Sequence, residues 1–256
     1  GLSRAWIYLR YETRALALLG SSRLLDLMAR GFRRRLRKAV SDPGLRTSLT
    51  PDYPFGCKRV LLTDDWFSTV LRDNLQLVGD GIREVNEGGI VTENGRQYEA
   101  DVIIFGTGFA ATEFLAPMRI RGIGGLALEQ VWRRGAEAYL GICVSGFPNL
   151  FMLYGPNTNL GHNSIIYMLE SQFRYVMACL DALERRGLRY LDVRSEAQRR
   201  FNVDLQAELD RTVWKSGCSS WYLNAEGRNT NNWSSYTFRY RWRTRHPAFE
   251  DYLLVR

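Results

Sequence analysis

Apolar side chains near the amino terminus recur at spacings of three and four residues, which predicts helices across residues 5–40. We expect Gly20 and Gly31 to interrupt this stretch, because glycine destabilises a helix interior. The turn-rich sequence at residues 41–44 predicts a loop. The apolar positions are Trp6, Leu9, Leu16, Leu19, Leu24, Leu27, Met28 and Leu36, of which the last four predict a face that packs against a sheet.

The longest helical pattern covers residues 164–186. Asn163 or Ser164 is its expected N-cap, because either side chain can accept a hydrogen bond from the first turn, and Gly187 is its expected stop. A further helix is predicted over SEAQRRFNVDLQAELDRTVW, which opens with the capping residue Ser195. The carboxy-terminal part of the chain is therefore expected to be largely helical.

Short segments between residues 82 and 100 are separated by the turn pairs Gly-Gly at 88–89 and Asn-Gly at 94–95. Such pairs adopt the positive φ angles that tight hairpins need, so these segments predict a β-meander. Apolar runs at residues 60–63 and 75–78 are also predicted as strands.

Two longer apolar runs, DVIIFGTGF at residues 101–109 and FPNLFMLYGP at 147–156, show no alternation of polar and apolar positions. Such runs are typical of strands covered on both faces in the parallel sheets of α/β proteins. Residues 238–245 alternate aromatic and arginine side chains, which predicts an amphipathic strand. The same mixture can bind nucleic acid, but strict alternation favours the strand.

The formal net charge of +8 is concentrated at one end of the chain. Residues 1–46 hold 11 Lys and Arg against three Asp and Glu, and the rest is balanced with 24 of each sign. A nucleic-acid-binding domain would spread its basic residues over a face of the fold, so we expect no nucleic-acid partner. The basic segment is interpreted as the solvated face of a helix, although a weak contact with an anionic membrane surface stays open.

The four cysteines contain no C-x-x-C pair, and their spacing fits neither a zinc site nor a disulfide scaffold. The two histidines, His162 and His246, are far apart in sequence, so no metal centre is expected. We expect neither a signal peptide nor a membrane-spanning helix, and a reducing cytoplasm as the location. No nucleophile elbow or P-loop is present, which excludes the common hydrolase and kinase patterns.

Four motifs occur in a fixed order along the chain: PFGCKR at residues 54–59, DVIIFGTGF at 101–109, GFPNLFMLYGPNTNLGHNSI at 146–165 and SGCSSWYLNAEGRN at 216–229. Together they resemble class B flavin-dependent monooxygenases of the Baeyer–Villiger and flavin-containing type. The resemblance implies an α/β fold, part of a flavoprotein with two dinucleotide-binding domains, with a β-meander and a helical carboxy-terminal part. It also implies that residues 1–95 end the NADPH domain, and that residues 96–256 return to the FAD domain with a tail that covers the substrate.

Members of this family carry glycine-rich motifs for FAD and for NADPH that are absent from this chain. Without such a loop, no helix N-terminus faces the FAD pyrophosphate. The chain is therefore interpreted as the carboxy-terminal portion of the enzyme, whose partner is the missing amino-terminal half, and we expect it to be inactive by itself.

The resemblance assigns the site residues. Arg59 would stand beside the flavin as the catalytic residue during oxygen activation, and Lys58 and Arg59 would touch NADPH. A guanidinium keeps its charge and offers a planar fork of donors, which suits a peroxyanion or a nicotinamide carboxamide. The remaining cofactor-binding candidates are Thr107, Gly108, Asn163, Ser164 and Ile165 near the flavin and Trp221 over the nicotinamide. His162 is expected to be a packing or hydrogen-bonding residue rather than an acid or base.

The complete enzyme would use NADPH, FAD and O2 to insert or add one oxygen atom through a C4a-(hydro)peroxyflavin, acting on a small apolar ketone or a soft heteroatom. Two alternatives stay open. The chain could be a non-catalytic fragment or partner module that folds only with a missing half, or part of a flavin disulfide reductase, which shares the domain plan.

Overall fold

The computed structural model describes residues 2–20 and 22–256, in which helices outnumber short strands. The helices are α1 (Leu2–Glu12), α2 (Ala15–Leu18), α3 (Ser22–Ala39), α4 (Pro43–Ser48), α5 (Trp66–Val70), α6 (Leu128–Val131), α7 (Ile165–Arg185), α8 (Ser195–Leu209) and α9 (Thr237–Arg243). The strands are β1 (Ile82–Asn86), β2 (Gly89–Thr92), β3 (Gln97–Glu99), β4 (Tyr190–Val193) and β5 (Tyr252–Val255).

The contacts divide the chain into two compact units. The major unit contains the chain up to Met28, Tyr53–Val60 and Ala110–Arg256. The minor unit contains Ala29–Asp52 and Leu61–Phe109. These units are discontinuous in sequence, and the domain boundary expected at residue 95 stays a prediction.

The core of the major unit forms around α7, as its spacing predicts. The buried positions of α7 are Met168, Ser171, Gln172, Tyr175, Cys179 and Ala182, which follow one helical face. Ser164 occupies the N-cap position and Gly187 adopts a φ of +59°, so the positions of both ends are confirmed, but the Ser164 side chain forms no capping bond within the described residues. The Tyr175 hydroxyl lies 2.7 Å from that of Tyr252 on β5, which pairs with β4 in an antiparallel ribbon. This bond ties the helix to the ribbon.

Helix α8 confirms the second predicted helix but differs at both ends. It starts at Ser195 with Arg194 in the N-cap position, where no side-chain capping bond forms within the described part of the chain. It ends at Leu209, five residues before the predicted end. Val213 and Trp214, which extended the apolar pattern, instead belong to a separate turn of 3-10 helix buried in the core.

The predicted strand at residues 238–245 is wrong, because this segment lies mainly in helix α9. Thr237, Tyr240 and Thr244 are almost completely buried, at the spacing of one helical face. The Tyr240 hydroxyl donates to the backbone carbonyl of Leu140 at 2.6 Å. Trp242, by contrast, is 74% exposed. One deeply buried tyrosine therefore determines the local structure more than the alternating pattern does.

The minor unit contains the predicted meander, with β1, β2 and β3 paired antiparallel in chain order. Gly89 adopts a φ of +128°, and a Cβ there would lie 2.1 Å from the carbonyl oxygen of Tyr98. Only glycine therefore fits this hairpin. Gly95 forms the second turn with a φ of +84°.

The other predicted strands are wrong. Residues 60–63, 75–78, 101–109 and 147–156 form no strand, since no strand among residues 2–20 and 22–256 pairs with them. In the 101–109 segment Ile104 is 89% exposed. An apolar run becomes a strand only when a neighbouring strand satisfies its backbone.

The amino-terminal helices also differ from the expectation. Helix α3 continues through Gly31 without a break, and Pro43 begins α4 where a loop was predicted. Leu36 is buried, but Leu24, Leu27 and Met28 are exposed, so the predicted packing face is mostly wrong. Helices long and apolar enough to cross a membrane do not occur in the described ranges.

Candidate functional site

The loop before Arg59 is anchored in the core of the major unit. Gly56 adopts a φ of +84°, and a Cβ there would lie 2.5 Å from the Cδ2 atom of Leu18, so the loop passes close to α2. Cys57 is completely buried. The ammonium of Lys58 lies 4.4 Å from the ring centroid of Tyr53. This anchoring fixes the backbone from which the Arg59 side chain extends.

Cys57 forms a disulfide with Cys218, which corrects the expectation that the cysteines are unpaired. Their sequence separation of 161 residues gave no signal, because the fold alone brings the two loops together. Cys143 and Cys179 are free and buried, and burial raises the pKa of the Cys179 thiol to about 12. The disulfide joins the loop of Arg59 to the segment that carries Trp221.

The guanidinium of Arg59 lies among neutral polar side chains. Its Nη1 atom donates to the Oδ1 atom of Asn159 at 3.5 Å, and the Tyr154 hydroxyl donates to the same oxygen at 2.8 Å. Burial raises the pKa of Tyr154 and raises that of Tyr222 to about 12, and the charge of Arg59 opposes both shifts. These tyrosines therefore stay protonated at neutral pH, and no carboxylate of the described residues forms an ion pair with Arg59.

Trp221 lies beside this cluster. Its ring centroid is 4.4 Å from that of Tyr222, and its side chain is 42% exposed. The Tyr222 hydroxyl is buried, and the nearby Arg59 guanidinium partly opposes the rise in its pKa that burial causes. Tyr222 thus interacts with both predicted residues, with Trp221 through its ring and with Arg59 through its hydroxyl.

Two asparagine-rich segments, residues 157–160 and 229–233, hold this cluster in place; we call them the asparagine zipper. The Asn157 backbone N–H donates to Thr230 and that of Asn159 to Asn231, both at 2.9 Å, and the Trp233 N–H donates back to the Asn159 carbonyl at 2.8 Å. The Asn159 side chain donates to the Oδ1 atom of Asn232 at 2.7 Å.

The zipper was not predicted from the sequence. The signal that could have indicated it is the pair of motifs NTN and NTNN.

The N-terminus of α7 offers unused donors. The Oδ1 atom of Asn163 accepts from the Ser164 N–H at 2.8 Å. The N–H groups of Ile165 and Ile166 make no hydrogen bond within residues 2–20 and 22–256. Together with the helix dipole, such groups stabilise a carbonyl or anionic ligand.

A buried carboxylate, Glu12, fixes the residues that precede α7. Its side chain accepts from Asn163 at 2.5 Å, and from the backbone N–H and hydroxyl of Thr237 at 2.7 and 2.9 Å. The Nε2 atom of His162 lies 3.7 Å from the same carboxylate. Burial lowers the pKa of His162, and Glu12 only partly opposes this shift. His162 is therefore a neutral buried side chain. Sequence reasoning missed Glu12 because its hydrogen-bond partners lie more than 150 residues away along the chain.

Thr107 and Gly108 belong to the minor unit and are exposed in irregular backbone. Gly108 adopts a φ of +91°, as a glycine turn would.

The part of the chain that the structure describes forms no metal site, since it contains no group of three His, Cys, Asp or Glu placed to hold an ion.

Comparison with known proteins gives matches along nearly the whole chain. It is 44% identical over 246 residues to a Baeyer–Villiger monooxygenase of Pseudomonas aeruginosa, covering 95% of this chain and 47% of that protein. A Baeyer–Villiger monooxygenase of Streptomyces coelicolor is 41% identical over 226 residues, covering 88% of this chain and 44% of that protein. The crystal structure of OTEMO in complex with FAD and NADP superposes with a TM-score of 0.82 at 29% identity, covering 93% and 46%.

The chain thus spans about half the length of the curated relatives it matches. No family model matches it.

Oxidation state distinguishes the four cysteines. We expect peptide mapping without reductant to recover Cys57 and Cys218 in one cross-linked pair. Cys143 and Cys179 should be alkylated only after unfolding, because both are buried. Labelling of Cys57 or Cys218 in the native, unreduced protein would contradict the disulfide.

His162 should give the protein an acid-sensitive stability. Because its pKa is lower in the folded than in the unfolded protein, the unfolded chain binds the proton first as the pH falls below about 6.5. The thermal midpoint should therefore fall between pH 7.5 and 5.5, and less steeply in His162→Phe. His246→Gln, which changes an exposed histidine, is the matched control. Equal slopes in all three proteins would show that His162 is not the titrating group.

Proposed function

Because this chain belongs to the Baeyer–Villiger and related FAD-binding monooxygenases, we propose that it supplies half of the site at which NADPH, FAD and O2 oxygenate an organic substrate. The observation that carries this proposal is the guanidinium of Arg59 among neutral groups. We use "complete enzyme" for this chain joined to an amino-terminal half that contains both glycine-rich dinucleotide motifs.

The chain fits the two cofactors in part. The free N–H groups at the start of α7 suit the flavin edge that becomes negative on reduction, so Asn163, Ser164 and Ile165 would hold that edge. Lys58, Arg59 and Trp221 would bind the nicotinamide, and Thr107 and Gly108 would line the flavin. The pyrophosphate sites lie outside this chain, since it has no glycine-rich loop after a strand.

When bound, FAD supplies the reduced ring that reacts with O2, and the protein supplies positioning and charge. Arg59 keeps its positive charge at any working pH, so its fork of donors can hold an oxygen anion or a carboxamide oxygen. Neutral amide and phenol neighbours position the fork without cancelling its charge. An anionic oxygen held there favours attack on an electrophilic carbonyl, which is why a small apolar ketone is the proposed substrate, with soft heteroatoms second.

The missing half of the enzyme is the proposed partner. Val102, Ile104, Phe105 and Phe109 expose more than three quarters of their side chains in a segment whose sequence is that of a buried strand. Strands supplied by the amino-terminal half would pair with this segment and cover it. We accordingly propose that residues 1–95 complete the NADPH domain and residues 96–256 the FAD domain, and that the chain alone is inactive.

The monooxygenase function is favoured over a flavin disulfide reductase and over a non-catalytic module, because the relatives and solved structures compared above are monooxygenases. The cytoplasm is the proposed location.

Arg59→Ala in the complete enzyme should separate reduction from oxygenation. NADPH should still bleach the flavin absorbance, because hydride transfer needs only the nicotinamide against the flavin ring. Formation of oxygenated product should fall by at least about 100-fold, the usual cost of removing one charge-stabilising donor. Arg59→Lys, which keeps the charge but loses the planar fork, should fall in between. Normal product formation in Arg59→Ala would contradict the proposed role.

A further inference from the structure

We propose that Asn159 is a positioning residue for Arg59. Its amide oxygen, aimed by Asn232, holds the guanidinium in place, while its neutrality leaves the positive charge available to the ligand. This inference rests on the proposed function, because it concerns the residue to which that function assigns the decisive charge.

The orientation of the Asn159 amide follows from its hydrogen bonds. Its Nδ2 atom donates to the Oδ1 atom of Asn232 at 2.7 Å. Its Oδ1 atom then necessarily faces the Tyr154 hydroxyl at 2.8 Å and the Nη1 atom of Arg59 at 3.5 Å. If the Asn159 amide were flipped, its N–H groups would face the donor atoms of Arg59. Its oxygen would then face the side-chain oxygen of Asn232. With the Asn232 amide oriented as it is, only this orientation of Asn159 presents an acceptor to both Tyr154 and Arg59.

The position of Asn159 is fixed as firmly as its orientation. The residue is buried, and the zipper hydrogen-bonds its backbone on both sides. The backbone N–H of Asn232 donates to the Oδ1 atom of Asn229 at 2.9 Å, so the residue that aims Asn159 is itself held. Arg59, in contrast, is exposed and has four rotatable side-chain bonds. A fixed acceptor reduces the number of conformations that the guanidinium samples before it meets a ligand.

The choice of asparagine rather than aspartate matters for charge. An aspartate could hold Arg59 more tightly, but it would cancel the charge that a bound oxygen anion needs. In the described part of the chain, no carboxylate forms an ion pair with Arg59. The site thus orients a cation without neutralising it.

A double-mutant cycle in the complete enzyme tests the proposal through NADP+ affinity, measured by calorimetric titration without turnover. Asn159→Leu should weaken NADP+ binding about tenfold when Arg59 is present, the usual effect of losing one hydrogen bond to a charged group. In an Arg59→Ala background the same substitution should change affinity less than twofold, because the group it positions is gone. Equal losses in both backgrounds, or no loss in either, would overturn the proposal.

Three further variants separate positioning from general damage. Asn202→Leu removes hydrogen bonds to the carbonyls of Ala138 and Gln198, outside the asparagine zipper, so it should lower the thermal midpoint and leave NADP+ affinity within twofold. Asn232→Ala removes the acceptor that aims Asn159 and should weaken binding, whereas Asn232→Asp keeps that acceptor and should restore most of it. The opposite order for the Asn232 pair would overturn the proposal even if Asn159→Leu fails to fold.

The proposed function can fail separately. If Arg59→Ala alone leaves both NADP+ affinity and oxygenation unchanged, Arg59 has no role and the proposed function falls. If Arg59→Ala has its expected effect while the Asn159 cycle is additive, only the positioning role of Asn159 falls.

Discussion

The asparagine zipper is the constraint on which the candidate site depends. Residues 147–156 lead into it without forming a strand, so the backbone beyond them is held by amide hydrogen bonds between residues 157–160 and 229–233. Burying polar groups is costly unless they form hydrogen bonds, and the backbone bonds of the zipper meet this cost only in part, because four of its buried side-chain atoms have no partner among the described residues: Asn157 Oδ1, Asn229 Nδ2, Thr230 Oγ1 and Asn232 Nδ2. Its bonded members fix Asn159, which contacts Arg59, and lead directly into the N-terminus of α7.

Charge is distributed around the site in a consistent way. The Glu12 carboxylate lies next to the start of α7, where it accepts hydrogen bonds from Asn163 and Thr237. Arg59 is surrounded by amide and phenol groups instead. The carboxylate of Glu12 thus stabilises the fold through its hydrogen bonds, whereas the guanidinium of Arg59 can interact with a ligand.

The elements whose signals lie in adjacent residues were correctly predicted from the sequence. Helix α7 has a long apolar face, a serine in the N-cap position and a terminal glycine, and the β-meander has glycine turns. Each of these signals lies in adjacent residues. Helix α9 was predicted as a strand because aromatic and arginine residues alternate along it. Its seven residues are too few to show a clear helical period, and the burial of Tyr240 favours the helix. The zipper, the Cys57–Cys218 disulfide and Glu12 escaped prediction because each joins residues more than 70 positions apart. The 101–109 segment shows the converse, since it carries the local signal of a buried strand but pairs with no strand among the described residues.

Complementation tests most directly whether this chain carries half of a flavin site. The chain would be expressed alone, together with the amino-terminal half of the Pseudomonas aeruginosa relative, and with that half while carrying Ile104→Asp in the exposed apolar segment. FAD absorbance per chain would be measured after purification. We expect no stoichiometric flavin on the chain alone, about one FAD per pair of halves in the second sample, and loss of flavin in the third. One FAD per chain in the first sample, or none in a second sample whose halves co-purify, would contradict this account.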